Sequence, residues 1–312
     1  MTSSRRAVWL AGAAVLSWST VATSFKIALS ELTVYGMLLV AAPTALIVFA
    51  LWLTVNKRWY KFASVEPRTW LNFALLGLVN PVVYYLTLFH AYDLLPAQIA
   101  QPVNYMWPIL LLIMLAVFGK KPIAPVKYIG MAISLAGLTV ISLGGSAISG
   151  SLSVSGMLWA FASAFLWALY WIINERLGRK ADEDVCLFAG FLFGTIYLLA
   201  GTLFFPTGEF STPGILSGIY IGLFEMGIPF LCFGVAIRTT TNPALVNQMC
   251  YLAPFLSLLF ISMILDEPIV ATTYIGLGLI VAGIAFNSRS AATAEAEPDA
   301  TGSGGRGEGL SS

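Results

Sequence analysis

Residues 97–130 have the sequence AQIAQPVNYMWPILLLIMLAVFGKKPIAPVKYIG, and residues 243–276 repeat its pattern as PALVNQMCYLAPFLSLLFISMILDEPIVATTYIG. The two stretches align without a gap at an offset of 146 positions. The shared positions hold tyrosine, proline and glycine: Tyr105 with Tyr251, Pro108 with Pro254, Pro122 with Pro268, Gly130 with Gly276 and Gly137 with Gly283. Shared apolar composition does not put prolines and glycines at one offset, so the pattern indicates an internal repeat.

The composition places this repeat in a membrane. The chain of 312 residues is 58% hydrophobic and 10% charged, whereas soluble domains are about 25% charged. Its net charge of +1 also argues against nucleic acid as a partner, because nucleic-acid binding requires many phosphates to be neutralised. The sequence therefore predicts an all-α polytopic protein whose surroundings are the lipid bilayer.

Ten apolar segments have the length of a membrane span, about 20 residues. They lie near residues 8–29, 33–54, 70–92, 97–118, 126–143, 155–174, 186–205, 214–237, 244–264 and 270–287. We expect a first five-helix repeat over residues 1–143, an outer connecting loop at 144–154 and a second repeat over 155–287. Residues 288–312 are rich in Gly, Ser, Ala and Glu, which predicts a disordered cytoplasmic tail.

Basic residues orient these helices. With a cytoplasmic N-terminus, fifteen of the sixteen Lys and Arg residues fall on the inner side and only Lys26 falls outside. Cytoplasmic loops of membrane proteins carry such an excess of Lys and Arg. The distribution predicts a multi-pass protein of a bacterial-type inner membrane, with both termini in the cytoplasm.

Five helices per repeat is an odd number, so the second repeat enters the membrane with the opposite orientation. Inverted repeats are typical of secondary transporters, which bind their substrate near the midplane between the halves. The sequence therefore predicts a transporter that works by alternating access.

Further repeat positions carry a family resemblance. Trp18 matches Trp167 and Pro81 matches Pro229 with small changes of offset, and each half closes with a Pro-x5-Tyr-Ile-Gly pattern. With the 5+5 layout, these features resemble the drug/metabolite transporter superfamily, EamA type. The amides and aromatics of Gln98-x2-Gln101-x2-Asn104-Tyr105-x-Trp107 are similar to the YddG-type aromatic amino acid exporters. The resemblance implies export of small metabolites.

Aromatic and amide side chains near the middle of the helices are the candidate substrate site. They are Trp18, Tyr84, Tyr85, Gln98, Gln101, Asn104, Tyr105, Trp107, Trp167, Trp171, Asn247, Gln248 and Tyr251. Polar amides are costly in lipid, so they either line a cavity or hydrogen-bond between helices. We expect kinks at Pro81, Pro108, Pro229 and Pro254, because proline removes a helical hydrogen bond.

Two titratable residues are candidates for coupling or gating. A carboxyl such as Glu225 near the centre of a span costs about 2.5–3.5 kcal/mol to insert, so it is protonated, paired or facing water. Proton coupling, an ammonium partner and a purely structural role all remain open for Glu225. His90, the only histidine, is either a proton relay or structural.

Small residues at four-residue spacing predict a helix-packing face. They are Ala132, Ala136, Gly278 and Ala282. No P-loop, metal cluster or catalytic constellation occurs in the sequence, so we expect no cofactor, no ATPase domain and no enzymatic activity. The predicted substrates are aromatic amino acids and similar flat amphipathic compounds. Alternatives are other amino acids, nucleobases or cationic drugs, or a channel.

Overall fold

The computed structural model describes residues 3–119, 123–149, 153–177, 181–240, 245–246 and 249–295. Throughout these ranges the regular structure is helical, without a strand. Two predicted site residues, Asn247 and Gln248, lie outside the described residues.

The α-helices are numbered here in chain order. They are α1 (Ser3–Leu29), α2 (Val34–Val55), α3 (Pro67–Gly77), α4 (Tyr84–Leu94), α5 (Ala97–Asn104), α6 (Trp107–Gly119), α7 (Pro125–Ser149), α8 (Val154–Leu177), α9 (Glu183–Gly201), α10 (Thr212–Ile221), α11 (Ile228–Thr239), α12 (Leu252–Leu265) and α13 (Ala271–Glu295). A 3-10 turn covers Trp59–Ser64, and π-helical turns Leu78–Val83 and Gly222–Gly227 join α3 to α4 and α10 to α11.

Seven of these helical stretches in the described part are long and apolar enough to cross a membrane. They are Arg5–Leu29, Val34–Val55, Pro67–Leu94, Ala97–Phe118, Val154–Asn174, Glu183–Gly201 and Thr212–Thr239. Three shorter apolar helices, Pro125–Ile141, Leu252–Leu265 and Ala271–Asn287, correspond to the other predicted segments. The prediction of an all-helical polytopic membrane protein is confirmed.

The four kink prolines lie in or beside interruptions of their helices. Pro81 is within the first π-helical turn, where Asn80 leaves the helical region at φ −139° and ψ 116°. Pro229 follows the second π-helical turn, next to Gly227 at φ −94° and ψ −82°. Turns at residues 105–106 and 250–251 precede Pro108 and Pro254. The missing N–H of proline explains why each helix deviates there.

The packing between the two parts of the chain is mirrored. α1 packs against α10, α11 and α12, whereas α8 packs against α3, α4, α5 and α6. α2 packs against α9, and α7 against α13. α1 thus contacts the counterparts of helices that α8 contacts, whereas α2 and α7 each contact their own counterpart. As a result, α1, α4, α5, α8 and α11 present side chains to a shared interior.

α7 and α13 approach each other through glycines, but not on the predicted face. A Cβ added at Gly137 would collide with the backbone carbonyl of Gly276, and one added at Gly283 with that of Gly130. Ala132, Ala136 and Ala282 are exposed, and among the described residues no atom would lie within 4 Å of a Cβ at Gly278. The predicted helix-packing face is therefore wrong. Relative to that prediction, both helices are rotated about their axes, and they bury a neighbouring row of glycines.

Two predicted boundaries are also corrected. α7 continues to Ser149, so residues 144–149 of the predicted outer loop are helical. Gly144 does not end the helix but lies against the Thr272 side chain of α13. α13 continues to Glu295, so residues 288–295 of the predicted tail are helical, in keeping with the helix propensity of their alanines. Residues 296–312 lie outside the described residues.

Charged side chains connect neighbouring helices at the two ends of the bundle. Arg58 pairs with Asp182 and Asp184, and Lys61 also pairs with Asp182, which joins the α2–α3 connection to the start of α9. At the opposite end Lys26 Nζ donates to the Tyr92 and Leu95 carbonyls, over 2.8 and 3.2 Å. Lys26 thus caps the last carbonyls of α4, where a helix dipole favours a cation.

Candidate functional site

An aromatic cluster, which we call the Trp167 cluster, extends from the buried Tyr84 and Tyr85 of α4 to Trp171 of α8, whose side chain is 40% exposed. Its members are Trp18, Tyr84, Tyr85, Trp107, Trp167, Tyr170, Trp171 and Phe230. The Trp167 ring lies 4.6 Å from Tyr84, 5.4 Å from Tyr170 and 6.1 Å from Phe230, measured between ring centroids. These separations are those of favourable aromatic pairs. Trp167 therefore joins aromatic rings from both halves of the chain.

Two tryptophans extend the cluster. Trp18 lies 6.3 Å from Phe230, and its Nε1 donates a 3.2 Å hydrogen bond to the backbone carbonyl of Glu225. Trp107 is stacked on Trp171 at 6.2 Å with an interplanar angle of 17°. The structure thus brings together Trp18, Trp107, Trp167 and Trp171, all of which the sequence predicts as site residues.

Glu225 borders this cluster, where it contacts Trp18 and Tyr85. It belongs to the π-helical turn between α10 and α11 and is 9% exposed. Its Oε1 accepts a hydrogen bond from the Tyr85 hydroxyl over 3.2 Å. No ion pair within the described ranges includes Glu225. Among the described residues, the side-chain partner of this carboxyl is therefore a phenol and not a cation.

A polar chain crosses between α4, α5 and α8. Asn104 Nδ2 donates to Ser163 Oγ over 2.9 Å, and Ser163 Oγ donates to the Ala160 carbonyl over 2.7 Å. The Tyr84 hydroxyl makes a weaker contact of 3.5 Å with Asn104 Oδ1. Asn104 is thus engaged on both its amide atoms, and it positions Tyr84 beside Trp167.

The two glutamines of α5 differ in their partners. Gln98 Nε2 donates to the Pro268 carbonyl over 3.1 Å, and its Oε1 accepts from Thr273 Oγ1 over 3.0 Å. Gln98 therefore links α5 to the segment around α13, which is the interhelical alternative considered from the sequence. Gln101 is 4% exposed, and its Oε1 has no hydrogen-bond partner among the described residues. Gln101 therefore differs from Gln98 in having a buried acceptor without a described partner.

The remaining predicted aromatics lie at the interrupted helices. Tyr105 occupies the turn between α5 and α6, and Tyr251 occupies the turn before α12. Tyr251 is half-buried and packs against the main apolar core. The two tyrosines hold equivalent repeat positions, so the two breaks are matched features of the halves.

His90 is placed apart from Glu225. Its Nδ1 lies 2.8 Å from the Leu86 carbonyl, and its ring lies 5.1 Å from the Trp159 ring. It lines a cavity of about 760 Å³ with Glu31, Asp93 and Glu209. These are residues of the predicted outer side, so the structure does not join the two predicted coupling candidates in one site.

Three residues of the site were not selected from the sequence. Phe230 bridges Trp18 and Trp167, and its position directly after a kink proline is a signal that could have identified it. Tyr170 lies on the same face of α8 as Trp167. Asn80 is buried, precedes Pro81 and lies beside the Tyr170 hydroxyl. A polar residue before a kink proline in an apolar segment is the corresponding signal.

The arrangement suits binding more than reaction chemistry. Its polar groups are one carboxyl, amides, phenols and a hydroxyl, spread among aromatic faces. Aromatic faces stack on planar groups and attract cations. No group of three or more His, Cys, Asp and Glu among the described residues is placed to hold a metal ion.

Known proteins similar to this chain are membrane transporters. An uncharacterized transporter, YvbV of Bacillus subtilis, is 27% identical over 72% of this chain and 74% of its own length. An uncharacterized inner membrane transporter, YedA of Escherichia coli K12, is 25% identical over 79% of this chain and 78% of its own. The aromatic amino acid exporter YddG of Ancylobacter novellus is 30% identical, and the match spans 57% of this chain but only 62% of that exporter.

A solved structure and a family model each match most of the chain. A solved crystal structure with 24% sequence identity matches at a TM-score of 0.65, over 93% of this chain and 98% of the other. The model of the EamA-like transporter family matches twice, at residues 5–143 and 154–289. These two matches cover most of the sequence and coincide with its two repeats. The chain belongs to the EamA-like transporter family.

Proposed function

We propose that this protein exports aromatic amino acids and similar flat, amphipathic solutes by alternating access between two inverted five-helix halves. The observation that carries the proposal is the Trp167 cluster, in which the Trp167 ring of the second half contacts Tyr84 of the first half and Phe230 of the second. The similarity to an exporter named for aromatic amino acids supports the same substrate class.

The inverted arrangement of ten membrane helices is supported by three observations. The family model matches each half separately, the helix contacts are mirrored between the halves, and the basic residues fall on one side of the predicted topology. In this topology both termini are cytoplasmic. The Trp167 cluster then lies between the halves, where a rocking motion would expose it to each side in turn.

The chemistry of the cluster fits an aromatic zwitterion. A planar side chain stacks on the faces of Trp167 and Tyr84, with about 0.5–1.5 kcal/mol for each pair beyond area burial. In this proposal the unpaired oxygen of Gln101 accepts a hydrogen bond from the substrate ammonium, and Glu225 provides a negative charge. A phosphorylated solute fits poorly, because phosphate favours an Arg or Lys partner.

Glu225 is the proposed coupling residue. A carboxylate in the interior of a membrane protein is stabilised by a proton or by a cation, and its single described partner, Tyr85, supplies neither. Protonation and ammonium binding therefore compete for the same group. In this scheme, proton entry releases the substrate ammonium from Glu225.

The proposal is tested by counterflow in proteoliposomes with Phe, Trp, Tyr, Leu and Glu. We expect saturable exchange, with Phe, Trp and Tyr faster than Leu and with Glu slowest. Equal rates for Glu and Phe would exclude the aromatic site. Preference for aromatic cations over zwitterions would favour export of cationic drugs through Glu225, and flux that never saturates would indicate a channel.

A further inference from the structure

A second site lies between α6, α7 and α13, away from the Trp167 cluster. It is a cavity of about 210 Å³. Its walls include Leu111, Leu112 and Leu115 of α6, and its polar lining is Lys127 of α7 and Asn287 of α13. An apolar wall with a cation and an amide at one end is the chemistry of a lipid site more than that of a water-filled pocket.

Asn287 is the unusual member of this site. It is 9% exposed, and within the described ranges neither its Nδ2 nor its Oδ1 has a hydrogen-bond partner. A buried polar group without a partner costs about 1–3 kcal/mol. Such a cost at a helix-packing position indicates that a bound molecule supplies the missing hydrogen bonds.

The internal repeat shows that packing alone does not require an amide here. Asn287 lies over Gly130, and the equivalent pair at the other end of the same helices is Ile141 over Gly276. Ile141 is buried and fills its position with an apolar side chain. At one end of the α7–α13 pair, an isoleucine therefore fills the position over the glycine. At the other end, the equivalent position holds an asparagine without a described partner.

Charge and position identify the ligand. No ion pair of the described part includes Lys127, and Lys120 and Lys121 precede it closely in the sequence. In the proposed topology this end of the bundle faces the cytoplasm. Basic pockets between membrane helices on that side bind anionic lipid headgroups. α6 runs along the cavity from Pro108 to Leu115, so its leucines offer a surface for an acyl chain.

We propose that this cavity binds the headgroup of an anionic phospholipid. Phosphate oxygens accept from Lys127 Nζ and Asn287 Nδ2, whereas Asn287 Oδ1 lies against Gly130. The acyl chains lie along Leu111, Leu112 and Leu115. The lipid thereby satisfies the buried amide that the protein leaves unpaired.

Native mass spectrometry of the purified full-length protein in detergent tests this site. We expect phosphatidylglycerol to bind more tightly than phosphatidylcholine. Lys127→Ala should weaken phosphatidylglycerol binding about fivefold, since one surface cation contributes about 1 kcal/mol. Asn287→Ile should weaken it more than tenfold, since hydrogen bonds to charged groups contribute about 1.5–3 kcal/mol. Arg68→Ala, which removes an exposed cation from the same proposed face, should leave binding unchanged.

Three results would contradict the proposed lipid site, each in a different way. Equal binding of phosphatidylcholine would overturn the preference for anionic lipid. Competition by soluble glycerol phosphate at the same concentration would assign the pocket to a free phosphate compound. Wild-type affinity in both Lys127→Ala and Asn287→Ile would remove the site altogether. If Asn287→Ile does not fold, as judged by size-exclusion chromatography, Lys127→Ala decides the question, because its side chain lies at the edge of the cavity.

Discussion

The Tyr85 hydroxyl donates a hydrogen bond to Glu225 Oε1 over 3.2 Å, which joins α4 of the first half to the interrupted helix of the second. The bond connects the two halves at the edge of the Trp167 cluster. Any movement of one half against the other must therefore change the surroundings of this carboxyl.

The first prediction concerns proton coupling through that contact. Glu225→Gln should abolish the pH dependence of Phe counterflow and leave the protein folded, because an amide cannot exchange a proton in this range. Tyr85→Phe should keep a pH-dependent rate with a displaced midpoint, since the carboxyl remains but its hydrogen bond is lost. Counterflow measured between pH 5 and 9 checks both. A Glu225→Gln protein with the wild-type pH profile would make Glu225 a structural residue.

Removing the central ring should weaken substrate binding. Trp167→Ala removes contacts with Tyr84 and Phe230, and we expect the KM for Phe to rise about tenfold from the loss of aromatic pairing. Trp167→Phe should retain most of the affinity. Trp9→Ala is the matched control, because Trp9 is 72% exposed on the outside of the bundle. Normal Phe transport in Trp167→Ala would contradict the proposed site.

Substitution of one glutamine of α5 should lower stability, and substitution of the other should slow transport. Gln98→Ala removes two hydrogen bonds between helices and should lower the free energy of unfolding by about 1–2 kcal/mol. Gln101→Ala should leave stability unchanged, because its oxygen is already unpaired in the described part, but it should slow Phe counterflow. Thermal unfolding and counterflow on the same samples provide the comparison. The reverse pattern would exchange the roles assigned to the two residues.

Close packing of α7 on α13 can be tested with a pair of glycines. Gly137→Ala places a methyl group against the Gly276 carbonyl, and we expect a loss of about 1–3 kcal/mol in stability from the forced separation. Gly278→Ala should be neutral or slightly stabilising, since open space surrounds that position among the described residues and alanine favours a helix. Equal unfolding temperatures for the two variants would refute the packing described here.

The proposed topology predicts which positions an impermeant reagent reaches. In a background without Cys186, Cys232 and Cys250, a cysteine at the exposed position Ser30 should react with external maleimide in intact cells. A cysteine at Ser64 should react only after the membrane is permeabilised. Labelling of the Ser64 variant from outside would invert the orientation and remove the argument from the basic residues.

Much of the fold was accessible from the sequence for a physical reason. Lipid requires each spanning segment to satisfy its own backbone hydrogen bonds, so a long apolar run implies a helix. Proline acts through the local backbone, and helix interruptions therefore occur near Pro81, Pro108, Pro229 and Pro254. The repeat of these residues likewise indicated the two halves that the family model matches.

The site residues were predicted from the sequence less completely than the fold. Trp18, Trp167 and Tyr85 were recognisable as polar or aromatic residues in apolar segments. Gln98 and Gln101 could not be distinguished by sequence, because their roles depend on whether Pro268 and Thr273 lie within reach. Phe230 was missed because its position after a kink proline does not by itself reveal that its ring lies between Trp18 and Trp167.

The sequence by itself determined the class of fold, the helical segments and the positions of their breaks, because these follow from local hydrophobicity and backbone chemistry. Only the tertiary structure decided which face of α7 meets α13, which glutamine is bonded and which rings surround Trp167. Those features depend on the rotation of each helix about its axis. Packing between distant segments fixes that rotation, and a four-residue spacing such as that of Ala132 and Ala136 defines a face without naming the neighbour that buries it.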